Sequence, residues 1–157
     1  MLRRLLMVGL TAAGLLTIGA PAFAAPPVSN TNTHQKNFVE TFVDVVPSCE
    51  GGGPLYTVTT TSNLHEKETV FANGNVHATF TQNGKFTAVP LNDPALPSYT
   101  GRFTVWGNFN QTGKTVEGGS TFNLTGTGSD GSKISNHTND HFNQRPDGSV
   151  HEFFHCH

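Results

Sequence analysis

The sequence predicts an all-β protein, an antiparallel up-and-down β-barrel of about eight or nine strands, with a β-sandwich as the alternative. Three observations carry this reading. Short runs rich in Val, Phe and Thr alternate with turn residues along most of the chain. No segment sustains an apolar period of 3.6. The only two cysteines, Cys49 and Cys156, follow the first run and end the last, so a bond between them would hold first and last strands near each other, as a closed barrel requires.

Taken in order, Met1 to Ala24 reads as a secretory signal peptide. Arg3 and Arg4 form its charged start, Leu5 to Ile18 its apolar stretch, and Ala22-Phe23-Ala24 the small-residue cleavage site. Residues 25–37 are polar and Pro-containing, and they are expected to form a disordered lead-in. One β-barrel domain is then expected over 38–157. Its first run is Phe38 to Val46, ended by the turn-rich stretch Pro47 to Pro54. Leu55 to Leu64 is the second, and His65 to Phe71 continues it after a bend. Asn73-Gly74 turns into Val76 to Gln82, and Asn83-Gly84 turns into Lys85 to Val89. An Asn-Gly pair tolerates the positive φ angles of hairpin turns. A loop containing Pro90, Pro94 and Pro97 precedes Gly101 to Asn110. Gln111 to Lys114 turns into Thr115 to Thr127, and Ser129-Asp130-Gly131 into Ser132 to Gln144. Arg145-Pro146-Asp147-Gly148 is a type I turn sequence, and it leads into Ser149 to Cys156.

Composition narrows the function classes. The 133 residues after Ala24 hold 12 Val and 11 Phe but only 5 Leu and 1 Ile, a composition that argues against a helical bundle and a membrane protein. Their formal charge is −4, with no basic cluster. That argues against nucleic acid as a partner and against a polybasic membrane anchor. Leu, Ile, Val and Phe make up about 22% of these residues, just above the level at which disorder becomes the default. So thin a core benefits from a staple. In an exported chain Cys49 and Cys156 are expected to form one disulfide. Closing a span of 107 residues corresponds to roughly 4 to 5 kcal/mol in the chain-entropy treatment. The expected location is secreted or extracellular, with no stable membrane insertion after cleavage.

The segment Tyr99-Thr100-Gly101-Arg102-Phe103-Thr104-Val105-Trp106-Gly107-Asn108-Phe109, with Gly126-Thr127-Gly128-Ser129-Asp130-Gly131-Ser132 after it, resembles small exported actinobacterial proteins of unknown function. The likeness extends over most of 38–156, including the two-cysteine frame. The implied architecture is loosely similar to allene oxide cyclase-like and lipocalin-like barrels, an analogy of fold that supplies no functional residues.

Two sets of residues could carry function. Phe80, Phe86, Phe103, Phe109, Phe122 and Phe142 read as core, and they would line a pocket if the barrel holds one. Five histidines, His137, His141, His151, His155 and His157, lie in the last 21 residues. With a three-residue loop at Pro146-Asp147-Gly148, residue 145 pairs with 149 and His137 falls opposite His157. All five would then share one face and could hold Zn or Cu. A two-residue loop would place Asn136, Thr138, Asp140 and Phe142 opposite them instead. The plain alternative is a solvated polar strand pair. No catalytic motif is present: there is no nucleophile elbow and no phosphate loop, and His65-Glu66-Lys67-Glu68-Thr69 lacks a second histidine. Glu66 and Glu68 share a face, as a solvated strand would place them. Asn110, Asn123 and Asn136 each begin a glycosylation sequon.

The leading expectation is a non-enzymatic exported β-protein that binds a small apolar molecule or acts as an interaction module, with no cofactor. One alternative is an extracytoplasmic metal-binding protein using the C-terminal histidines. The other is an isomerase or cyclase acting on a lipid-like substrate.

Overall fold

The computed structural model describes residues 25–46, 49 and 52–157. The leader expected over 1–24 and residues 47, 48, 50 and 51 of the first turn lie outside them. The described chain is all-β: β1 Pro27–Val45, β2 Leu55–Phe71, β3 Val76–Pro90, β4 Tyr99–Thr112, β5 Thr115–Gly128, β6 Lys133–Gln144 and β7 Val150–Cys156. All seven belong to one antiparallel sheet, ordered as they occur in the chain. Among the described residues no helix is long and apolar enough to cross a membrane.

Turn chemistry sets the register. Three hairpins share a three-residue loop closed by paired backbone hydrogen bonds: Phe71 to Asn75, Gly128 to Ser132 and Arg145 to Ser149. In each, a glycine with φ between 80° and 86° (Gly74, Gly131, Gly148) takes the left-handed position that closes a type I turn. In each, the preceding Asn or Asp accepts the backbone N–H two residues on, at 2.9–3.1 Å. The shared pattern is Asn/Asp-Gly-Asn/Ser. The β4–β5 turn is a two-residue loop, with Gly113 at φ 60°.

Asn83-Gly84 does not turn. β3 runs straight through it, pairing Gly84 with Ser62 on one side and Phe103 on the other. Gly84 serves close approach instead. A Cβ there would stand 2.4 Å from the Thr61 carbonyl oxygen. β2 is likewise one strand through His65, without a bend. These two continuities reduce the expected eight or nine strands to seven.

β1 also departs from expectation. Eight residues of the lead-in expected to be disordered, Pro27 and Ser29 to Gln35, pair with β2 in the strand that begins at Pro27. Side-chain bonds from His65 Nε2 to Asn32 Oδ1 and from Thr69 Oγ1 to Asn30 Oδ1 accompany the ladder there. A bulge between Gln35 and Phe38 interrupts it, with Asn37 at φ 55°. The bulge changes which parity faces inward, so Phe38, Glu40, Phe42 and Asp44 align with the inner face of β2.

The inner faces build the core: Tyr56 and Val58 on β2, Phe86 and Ala88 on β3, Tyr99, Phe103 and Val105 on β4, Ile134 on β6. Glycines let rings lie flat on the sheet. A Cβ at Gly101 would meet the Phe86 ring at 2.6 Å. On a flat sheet β1 and β6 would stand about 24 Å apart. Here Glu40 and Phe42 of β1 and Asn136 of β6 line one cavity, so the sheet is strongly curled.

The ladder does not close. β1 and β7 are not paired, so the expected closed barrel is corrected to a curled, open seven-stranded sheet. β7 has only seven residues, and the disulfide between Cys49 and Cys156 fastens the connection after β1 and not β1 itself. The bridged Cα atoms are 5.5 Å apart, the usual separation for a disulfide. The cross-link supports the expected oxidising compartment.

Candidate functional site

Inside the curl is a cavity of about 60 Å³. Its walls are mostly apolar: Phe42, Val45 and Val46 at the β1 side, Val58 of β2, Phe86 of β3, Phe103 and Val105 of β4, Phe122 and Leu124 of β5. Its polar groups are Glu40, Asp44, Thr60, Gln82 and Asn136. Of the six phenylalanines predicted from sequence, Phe86, Phe103 and Phe122 stand on its wall. Phe80, Phe109 and Phe142 share the concave face but lie toward its other end. There Phe80 covers Gly107 and Phe142 covers Gly118.

Register explains the arrangement. Glu40, Thr60, Phe86 and Gly101 form one cross-strand row, and Leu64, Gln82, Val105 and Phe122 another. Gln82 is buried; its Nε2 donates to Ser62 Oγ at 2.9 Å and to Glu40 Oε2 at 3.4 Å. Thr60 differs. It is 6% exposed, and among the described residues its hydroxyl oxygen has no hydrogen-bond partner. A buried hydroxyl left unpaired costs on the order of 1–3 kcal/mol. An orphan of this kind on a cavity wall calls for a partner. Asn136 is 3% exposed, so its sequon is closed to a glycosylating enzyme in the folded chain. Its Oδ1 lies 3.4 Å from Cys156 Sγ, which brings the disulfide against the cavity wall.

Sequence reasoning missed Glu40, Phe42, Asp44, Thr60, Gln82 and Asn136 as wall residues. In β1 apolar residues occur at both parities, so alternation alone cannot choose its inner face. The signal lies in the bulge at Asn37, which a sequence pattern does not display.

The histidines take the other side of the sheet. The three-residue loop is the one observed. It sets His137 opposite His157, Asn139 opposite His155, His141 opposite Phe153 and Asn143 opposite His151. All five histidines therefore share the outer face. They do not converge on one point. The rings of His155 and His157 meet edge to face at 4.1 Å, and His137 lies 5.9 Å from His157. Both ring nitrogens of His137 are engaged. Nε2 accepts from Asn139 Nδ2 at 3.0 Å, so Nδ1 carries the proton and donates to Asn123 Oδ1. Thr121 Oγ1 fixes the Asn139 amide at 2.9 Å. Among the described residues no group of three or more His, Cys, Asp or Glu is placed to hold a metal ion.

Carboxylates at the far end of the concave face are differently placed. Asp140 has a buried Oδ1 without a hydrogen-bond partner among the described residues. Burial, and then the nearby charge of Glu152, raise its pKa above the ordinary aspartate range. Glu66 and Glu68 are half-buried on the same face, where solvated positions were expected. Comparisons with protein-family models, curated proteins and solved structures return no match.

Proposed function

We propose that the protein is an exported, disulfide-stapled β-protein that binds a small, largely apolar molecule without transforming it. The observation that carries this reading is the apolar cavity with one orphaned hydroxyl, Thr60 Oγ1, on its wall. Concave apolar sites with a few placed polar groups are the usual form of small-molecule sites. The volume sets the scale. Pockets that enclose drug-sized ligands run to roughly 300–1,000 Å³. A cavity of about 60 Å³ therefore encloses a fragment, not a lipid chain, which disfavours the cyclase reading.

An amide-resolved NMR titration with 1-propanol, a neutral probe of suitable size, tests this. Shifts are expected at Thr60, Gln82, Phe103 and Phe122, on the wall. A titration that moves no amide, or moves chiefly those of β7, would overturn the reading.

A further inference from the structure

We propose that the preferred ligand is a small organic cation, an alkylammonium with a short apolar chain. This rests on the reading of the cavity as a ligand site and names the class of ligand it takes. β1 mixes carboxylates with the inward phenylalanines Phe38 and Phe42. Its carboxylates Glu40 and Asp44 face the concave side, while Val39 and Val43 are 59% and 53% exposed on the other. Local rules broken in this way gather at functional sites.

Among the described residues the two carboxylates have no counter-charge: Glu40 accepts from the Gln82 amide and Asp44 from the Val45 backbone N–H at 2.7 Å, and neither meets a basic side chain. No Lys, Arg or His among the described residues lines the cavity. Both are half-buried beside the apolar wall, within reach of a molecule held in the cavity. A ligand cation supplies the counter-charge.

Thr60 is an independent observation. It lies opposite Glu40 in the same row, is more than nine-tenths buried, and has an unused hydroxyl oxygen. That oxygen can accept an ammonium N–H. Phe42, Phe86 and Phe103 stand on the same wall, and aromatic rings attract a positive group placed over their faces. Size fixes the chain length. A cavity of about 150 Å³ is what takes benzene, and this one is less than half that, so two or three carbons fit.

The test compares four probes by NMR titration of the disulfide-bonded protein at fixed ionic strength: n-propylammonium, 1-propanol, propionate and ammonium chloride. Propylammonium is expected to bind about tenfold tighter than propanol, the size of one charge-assisted hydrogen bond. Propionate and bare ammonium are expected to bind more weakly than propylammonium. Glu40→Gln should bring the propylammonium-to-propanol affinity ratio from about ten toward one, and Asp44→Asn should lower it less, because Glu40 and not Asp44 stands opposite Thr60. Propanol or propionate binding as tightly as propylammonium overturns the cation and leaves the apolar site standing. Bare ammonium binding as tightly removes the organic part and overturns the proposal. If no probe binds, the ligand site itself falls, and the inward carboxylates serve only to protect an edge strand. The probe comparison on the unsubstituted protein decides among these outcomes even where a variant fails to fold.

Discussion

The sheet between β2 and β5 and the C-terminal strand β7 are built on opposite terms. In the first, Tyr56, Phe86, Ala88 and Phe103 are each less than 9% exposed, and rings lie on glycines. In β7, Val150, Phe153 and Phe154 are 49–60% exposed, and only Cys156 is half-buried. One region is held by packing. The other is held by a single ladder to β6 and by a covalent bond. The contrast separates two sources of stability in a chain with few apolar residues.

Removing the bond sharpens the contrast most. Replacing both Cys49 and Cys156 by serine should cost roughly 4 to 5 kcal/mol, read from denaturant unfolding against the oxidised protein. The effect arises in the unfolded chain, which gains the freedom of a 107-residue loop, and not in the contacts of β7. A loss below about 1 kcal/mol would show that the bond constrains little.

Within the packed region, Phe86→Ala should cost about 3 to 5 kcal/mol, because the ring covers Gly101 and Gly126 and nothing else can fill the space. Phe153→Ala, on the exposed strand, should stay within about 0.5 kcal/mol. Similar losses at the two sites would break the comparison.

Asp140 stands between the regions, on β6. Its pKa is raised in the folded state, so folding favours its protonated form. The ionised side chain opposes folding above the folded pKa, and this opposition fades as pH falls from there toward the ordinary aspartate range. Asp140→Asn should therefore raise the melting temperature slightly at neutral pH and have less effect in acid. Paired melts at pH 7 and pH 4 check the sign. Asp147 works the other way. The Ser149 hydroxyl, 2.7 Å away, lowers its pKa, so its contribution is present above the ordinary aspartate range and is lost as pH falls through the lowered value. Thr60→Val should leave stability unchanged or slightly raised, since it removes a hydroxyl without a partner. A clear loss would mean that the hydroxyl is satisfied in solution.

Much of the sheet was legible in the sequence because its turns are written in local chemistry. Asn73-Gly74-Asn75, Asp130-Gly131-Ser132 and Asp147-Gly148-Ser149 are turns of one kind, and the last fixes the register of the histidines. Asn83-Gly84 misled because the same dipeptide can also serve close packing, and only its neighbours Ser62 and Phe103 reveal that use. The cavity was half visible. Phe86, Phe103 and Phe122 follow from alternation, whereas Glu40, Asp44 and Thr60 depend on a bulge and on curvature that bring β1 over β6. Closure was over-read from the cysteines, since a bond across a connection brings chain ends near without pairing their strands.

The most direct measurement is native-state hydrogen exchange with and without saturating n-propylammonium. The packed sheet should exchange slowly, and the ligand should slow it further at Thr60, Gln82 and Phe103. The amides of β7 should exchange faster and ignore the ligand. Uniform protection across both regions, or ligand protection confined to β7, would contradict the placement of the binding site in the packed half of the molecule.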